Sequence, residues 1–356
     1  MGTLESFMKD HRDYIRKKWV FMAICAVVTA VAVIIEIGTG RYSLSFTDSL
    51  GYFFGHLTGN IPVDPGAALV DSIVWDRVPT ALGGIAIGAI LGVCGCAMQS
   101  SMKNPLADPY MTGIASGASL GVALMLVAGF AVAGGGAFDV AIMANAFVFA
   151  MIPAGVMVFF TIVNRNLSTN GVILVGIAVM FFFNAVTTVL KYYAPDSDLA
   201  DMYYWSVGSI GPLNWKNLPI VLVVGMVSVV ALQYFSRQLN VLTMNDASAQ
   251  MLGVDPRRVR TYLLVLVSLF TAVAVCYTGT IGFVGLVGPH ICRMFLGSDN
   301  RYLLPASAMA GAMILLAADC IAKNVTMAGL PAGVVTALIG GPVFLFLLIR
   351  QRKSDW

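Results

Sequence analysis

Charge is what this sequence has least of. Only 11% of its 356 residues are Asp, Glu, Lys or Arg, while 58% are hydrophobic. Soluble domains carry about 25% charged residues. The apolar surplus cannot be hidden in one aqueous core, so lipid must cover it. Histidine is also scarce, and His11, His56 and His290 are too scattered for a metal cluster. The six cysteines lie in or beside apolar runs. Cys94 and Cys96 lack the spacing of a zinc or redox pair, which leaves small buried hydrophobes as the reading. No GxxxxGK[ST] phosphate loop is present, so the chain does not bind ATP by that route. The centres of the apolar runs are nearly free of ionisable groups; Glu36, Lys191, Asp319 and Lys323 sit near run ends. An ion-coupled carrier usually needs such groups at the bilayer midplane. An intramembrane enzyme needs a nucleophile–base pair or a metal cluster within its spans, and neither is legible. The driving force is therefore expected from a separate ATPase subunit. A secondary transporter or channel working without ATP is the rival from another class.

What is abundant is apolar runs. A span needs about 20 mostly apolar residues, and ten stretches approach this: 19–37, 80–100, 111–130, 140–163, 172–190, 218–235, 261–279, 281–296, 303–321 and 333–349. The expected fold is an all-α integral membrane protein of about ten transmembrane helices. Residues 1–18 are expected to form a cytoplasmic N-terminal segment, 19–350 a single transmembrane domain, and 351–356 a cytoplasmic tail. The first run is longer than a signal-peptide core and lacks a small-residue cleavage site, so it reads as a retained helix. The run 281–296 is broken by Gly282, Gly285, Gly288 and Pro289, and must be shielded by protein because lipid cannot satisfy freed backbone groups. Gly88 and Gly92 form a small-xxx-small pair that permits close helix approach.

Orientation follows from lysine and arginine placement. With the N-terminus in the cytoplasm, only Arg41, Arg77, Lys191, Lys216 and Lys323 of the 21 basic residues fall outside. An even number of spans returns the basic C-terminus to the same side. Segments 38–77 and 192–216 then lie outside and 236–260 inside. In the last, Asn245 or Asp246 can cap a short helix that Gly253 ends, and Asp255-Pro256 restarts a second. Such a two-helix elbow can receive a cytoplasmic partner; an ordinary inter-helix loop is the alternative.

Several pieces carry a resemblance. They are Gln99 with Asn104-Pro105-Leu106-Ala107-Asp108-Pro109; Gly113-Ile114-Ala115-Ser116-Gly117-Ala118; Ser248-Ala249 with Leu252-Gly253-Val254; Gly282-Phe283-Val284-Gly285-Leu286-Val287-Gly288-Pro289-His290 with Arg293; and Leu330-Pro331-Ala332-Gly333 with Gly340-Gly341-Pro342-Val343-Phe344. In this order they resemble the permeases of type II ABC importers for ferric siderophores, haem and vitamin B12. The match runs from about Arg77 to Arg350.

The resemblance implies a subunit of the cell membrane with a second permease beside it, most simply as a homodimer. It implies two ATP-binding cassette subunits below and an extracytoplasmic solute-binding protein above. No cofactor is expected on this chain, since the ATPase partner binds ATP. By the same resemblance Asn245, Asp246, Ser248, Ala249, Leu252 and Gly253 form the ATPase-coupling helix. Asn245 stands where glycine is common and Asp246 where glutamate is usual. The inner gate is carried over to Asn104, Leu106, Ser168 and Thr169. A leucine ring can close a pore by dewetting, whereas Asn104 can instead simply cap the turn before Pro105. Arg77 and Lys323 match residues that dock the binding protein; Lys323 replaces an arginine and loses its bidentate fork. Thr80 stands where another arginine is usual. Plain snorkelling anchors are the alternative for Arg77 and Lys323. His290 belongs to a motif that the family carries whatever its substrate, which favours a structural role over haem ligation. A ferric siderophore is the expected substrate, ahead of haem and cobalamin.

Overall fold

A computed structural model describes residues 2–40, 44–60, 64–133, 138–164, 169–325 and 329–350. Fourteen α-helices are present among them, with no strand. They are α1 (Gly2–Gly38), α2 (Phe46–Leu57), α3 (Pro65–Met102), α4 (Ile114–Ala128), α5 (Phe138–Val163), α6 (Thr169–Tyr193), α7 (Asp196–Val207), α8 (Leu218–Tyr234), α9 (Ser236–Leu242), α10 (Asp246–Met251), α11 (Pro256–Thr278), α12 (Val284–Leu296), α13 (Asn300–Val325) and α14 (Ala332–Arg350). A 3-10 turn at Pro109–Thr112 precedes α4.

Each of the ten expected spans coincides with a helix. Six are long and apolar enough to cross a membrane alone; α8 and α9, bent by 50°, make a seventh together. The apolar stretches Ile114–Ala128, Val284–Leu296 and Ala332–Leu347 are shorter. For α12 this follows from its sequence: Phe283 before it takes a left-handed conformation, with φ +67, and Pro289 lies inside it. The largest departure from expectation is α3. It starts at Pro65, capped by Asp64, rather than near 80, and runs for 38 residues. At 1.5 Å per residue that is about 57 Å, well beyond a hydrocarbon core of about 30 Å. Among its described residues, segment 38–77 holds α2 and the projecting turns of α3.

Helix α3 is also the axis of the bundle. The most apolar window of α3 is 83% buried inside the protein, against 22% for α6 and 33% for α5. The glycine pair read from the sequence explains the central packing. A Cβ on Gly88 would lie 2.5 Å from the Gly311 carbonyl oxygen, and one on Gly92 would lie 2.1 Å from that of Ser307. Helices α3 and α13 thus touch backbone to backbone. Gly95 meets α12 in the same way, at Gly285.

Candidate coupling elbow and gate

The elbow is built from local capping signals. Asn245 is extended and its Oδ1 accepts from Ser248 N at 2.7 Å, which starts α10. Gly253 takes φ +78, a conformation open to glycine at little cost, and its N–H donates to Gln250 O at 2.9 Å. Asp255 then caps α11 by accepting from Arg257 N at 3.0 Å, with Pro256 in the first turn.

A helix of six residues has little stability of its own, so tertiary anchors must hold it. Ala249 is fully buried beneath it. Asp246 takes two hydrogen bonds of 2.8 Å from Arg260, one on each carboxylate oxygen, and a 3.1 Å ion pair from Lys103. Lys103 also donates to Met244 O. Chiefly through the Arg260 hydrogen bonds, the Asp246 carboxyl is held down at about 2. Arg260 reaches further, donating from Nε to Ser101 O at 3.1 Å. One guanidinium thus ties α10 to the last turn of α3. No motif in the sequence connects Asp246 with Arg260 and Lys103. Above these anchors, Met251 and Leu252 present exposed apolar side chains, 88% and 60% accessible.

The loop expected to carry the gate begins where this anchoring ends. Lys103 closes α3 in a left-handed conformation, φ +50. Asn104 N donates to Gln99 O at 3.1 Å, and its Oδ1 accepts from Leu106 N at 2.9 Å. Asn104 thus caps the turn around Pro105. Leu106 is exposed on that turn. Thr169 opens α6; Ser168 lies outside the described residues.

Behind the loop, two distant sequence pieces meet. Gln99 donates from Nε2 to Gly285 O at 3.3 Å and Leu286 O at 3.4 Å, and its Oε1 accepts from Arg293 at 3.1 Å. Tyr110 in the 3-10 turn accepts from Ile281 N at 3.2 Å, just before α12. His290 is buried on α12, with its ring edge-on to Phe344 at 6.0 Å.

At the opposite end of the bundle, the two basic residues expected to dock a partner both engage α1. Arg77 donates to Ile37 O at 3.0 Å and lies against Gly40. Lys323 pairs with Asp319 at 2.9 Å and with the fully buried Glu36. Thr80 is buried and donates to Leu213 O at 3.4 Å.

Comparison with known proteins accounts for this architecture. The model of the FecCD transport family matches residues 28–350. The chain is 38% identical over 287 residues to the hemin transport system permease protein HmuU of Yersinia pestis, covering 78% of this chain and 83% of that one. It is 35% identical over 298 residues to the vitamin B12 import system permease protein BtuC of Vibrio cholerae, covering 82% and 87%. A solved metal-chelate type ABC transporter in an inward-facing conformation superposes with a TM-score of 0.79 at 26% identity, covering 94% of this chain and all of that one.

Proposed function

The chain belongs to the FecCD transport family, and from that we propose that it carries a ferric siderophore or a related iron complex across the cell membrane. The chain is a multi-pass permease of an ABC importer, in a family whose members include haemin and vitamin B12 permeases. Haem or cobalamin is the alternative cargo, on the strength of those two relatives. The preference for an iron complex rests on the resemblance read in the sequence.

In this reading two copies of the chain flank one pathway, with both termini in the cytoplasm. Two separate ATPase subunits hydrolyse ATP below, and a solute-binding protein delivers cargo above. Met251 and Leu252 seat in the ATPase. Closure of the ATPase displaces α10, and Arg260 passes that displacement to Ser101 and the gate turn of Asn104 and Leu106. The observation that carries this assignment is the shared grip of Arg260 on Asp246 and Ser101. A displacement of the elbow cannot leave the end of α3 behind without breaking charge-assisted hydrogen bonds, which are among the stronger kind. Arg77 and Lys323 receive the binding protein at the other face.

The test is uptake into vesicles holding this chain, its ATPase and its binding protein. Ferric siderophores, haem and cobalamin are offered in parallel, with and without ATP. ATP-dependent accumulation of a ferric siderophore is the expected result. Accumulation of haem or cobalamin alone would replace the cargo, and flux indifferent to ATP would remove the proposed drive.

A further inference from the structure

The end of the bundle opposite the elbow contains a cavity that none of the roles above uses. It lies between α2 and the projecting turns of α3, has a volume of about 320 Å³, and is lined by Thr47, Asp48, Tyr52, Asn60 and Asp71 together with two glycines of α2. Asp71 is 97% buried, with 3% of its surface accessible. One of its carboxylate oxygens, Oδ2, is held by His56 Nδ1 at 2.7 Å. The other, Oδ1, is buried and has no hydrogen-bond partner among the described residues.

The His56 contact is itself fixed. The imidazole stacks on Trp75 with centroids 4.0 Å apart, and Trp75 stacks on Trp215 at 4.7 Å. This aromatic column holds His56 against Oδ2, so Oδ1 remains a carboxylate oxygen without a bond among the described residues, on a residue that lines the cavity. A buried carboxylate oxygen without a partner is costly, and folded proteins rarely keep one without a reason. Asp48 adds a second carboxylate to the wall. Its Oδ2 accepts only from the Ser45 hydroxyl, at 2.7 Å, among the bonds described.

We propose that this cavity is a binding site for an organic cation bearing an ammonium or guanidinium group. Two carboxylates, a carboxamide and two hydroxyls offer the oxygen acceptors that such N–H donors require. An anion would meet two like charges. A bare metal ion fits poorly: the described residues contain no group of three His, Cys, Asp or Glu able to hold one, and the cavity is far larger than an ion. Its volume falls at the lower end of small-molecule pockets, about 300–1,000 Å³, and also suits the end of a lysine or arginine side chain. The cation is thus either a free small amine or such a side chain on an extracytoplasmic partner. The second source rests on the transport reading above; the site itself does not.

The test is calorimetric titration of the purified full chain in detergent with n-butylammonium and with agmatine. Tetramethylammonium, which has charge but no N–H, serves as the control. Saturable binding of the first two is expected, with tetramethylammonium weaker by at least about tenfold, because hydrogen bonds to the carboxylates are lost. Asp71→Asn keeps the shape and removes the charge, and weakens binding by at least about tenfold. Gly51→Leu is the second variant: Gly51 lines the cavity and a Cβ there meets nothing within 4 Å. The leucine fills the site without straining α2 and abolishes binding even if Asp71→Asn fails to fold. With the binding protein present, butylammonium displacing it identifies a side chain as the natural occupant; undisturbed association identifies a free cation. The proposal is overturned if no cation binds saturably and the binding protein's affinity is unchanged in Gly51→Leu, which would leave the cavity to water. Binding that is equal in Gly51→Leu and the unaltered chain overturns it as well. Either failure leaves ATP-driven uptake intact.

Discussion

Arg260 and Asp246 form a two-pronged pair, with each guanidinium terminal nitrogen 2.8 Å from a different carboxylate oxygen. The geometry needs the planar fork of arginine, which lysine cannot reproduce. Arg260→Lys therefore separates charge from shape. Vesicle uptake is expected to fall about tenfold, the scale of one charge-assisted hydrogen bond, while ATPase association stays normal. Leu252→Asp acts the other way, placing a charge on the exposed apolar face, so both association and uptake fall. Normal uptake in Arg260→Lys would remove the Arg260 link from the mechanism.

The depressed Asp246 carboxyl makes the elbow acid-sensitive, with a definite sign. Its ordinary value of 3.8 falls to about 2 in the fold. The folded state thus favours the ionised form, and the resulting stabilisation is fully present above the ordinary value. It is lost as pH falls through about 2. Protection of the α10 amides in a hydrogen-exchange experiment is expected to be flat from neutral pH to about 4, and to decline below that. Asp246→Asn should show the reduced protection already at pH 7. Equal protection in the variant and the unaltered chain would mean that packing on Ala249 alone holds the elbow.

The glycines of α3 differ sharply from those elsewhere in what they tolerate. Gly92→Ala sets a methyl 2.1 Å from Ser307 O, a backbone atom that cannot swing aside. Overpacking of this kind costs about 1–3 kcal/mol or more, so the yield of folded protein and its melting temperature in detergent should both drop. Gly155→Ala is the control, because a Cβ on Gly155 meets nothing within 4 Å. Its melting temperature should match that of the unaltered chain. Two equal outcomes would show that α3 and α13 can move apart cheaply.

Lys323 sits between two buried carboxylates, those of Glu36 and Asp319. Lys323→Met removes the cation and leaves both acids uncompensated, a change that costs about 3–5 kcal/mol for a buried pair. Adding Glu36→Gln to that variant should recover much of the loss, since one buried charge goes with it. Thermal unfolding of the single and double variants checks this. A single variant as stable as the parent would mark Lys323 as a plain anchor that snorkels to water.

Much of the molecule was legible because its signals are local. The ten apolar runs became ten helices, and Asn245, Gly253 and Asp255 cap and end their helices as residue chemistry alone suggests. The Gly88–Gly92 spacing correctly announced a close helix contact but could not name Gly311 and Ser307 as the other side. What stayed hidden has no period. Asp246 reaches Arg260 across 14 positions and Lys103 across 143, and no pattern in a single chain connects them. The start of α3 was misplaced because Asp71, Asp76 and Arg77 interrupt its hydrophobic run. Those charges are accommodated at an end that projects past the apolar layer, where a hydropathy criterion has nothing to detect. Lys323 read as an outward-facing docking charge; its engagement with Glu36, 287 positions away, depends on where α1 packs.

The backbone contact at Gly92 and Ser307 has a mechanical corollary. Where Gly88 and Gly92 of α3 meet Gly311 and Ser307 of α13, no side chain stands between the two backbones, so neither can shift toward the other there. A push delivered at Ser101 would therefore pass from α3 into α13 at that contact.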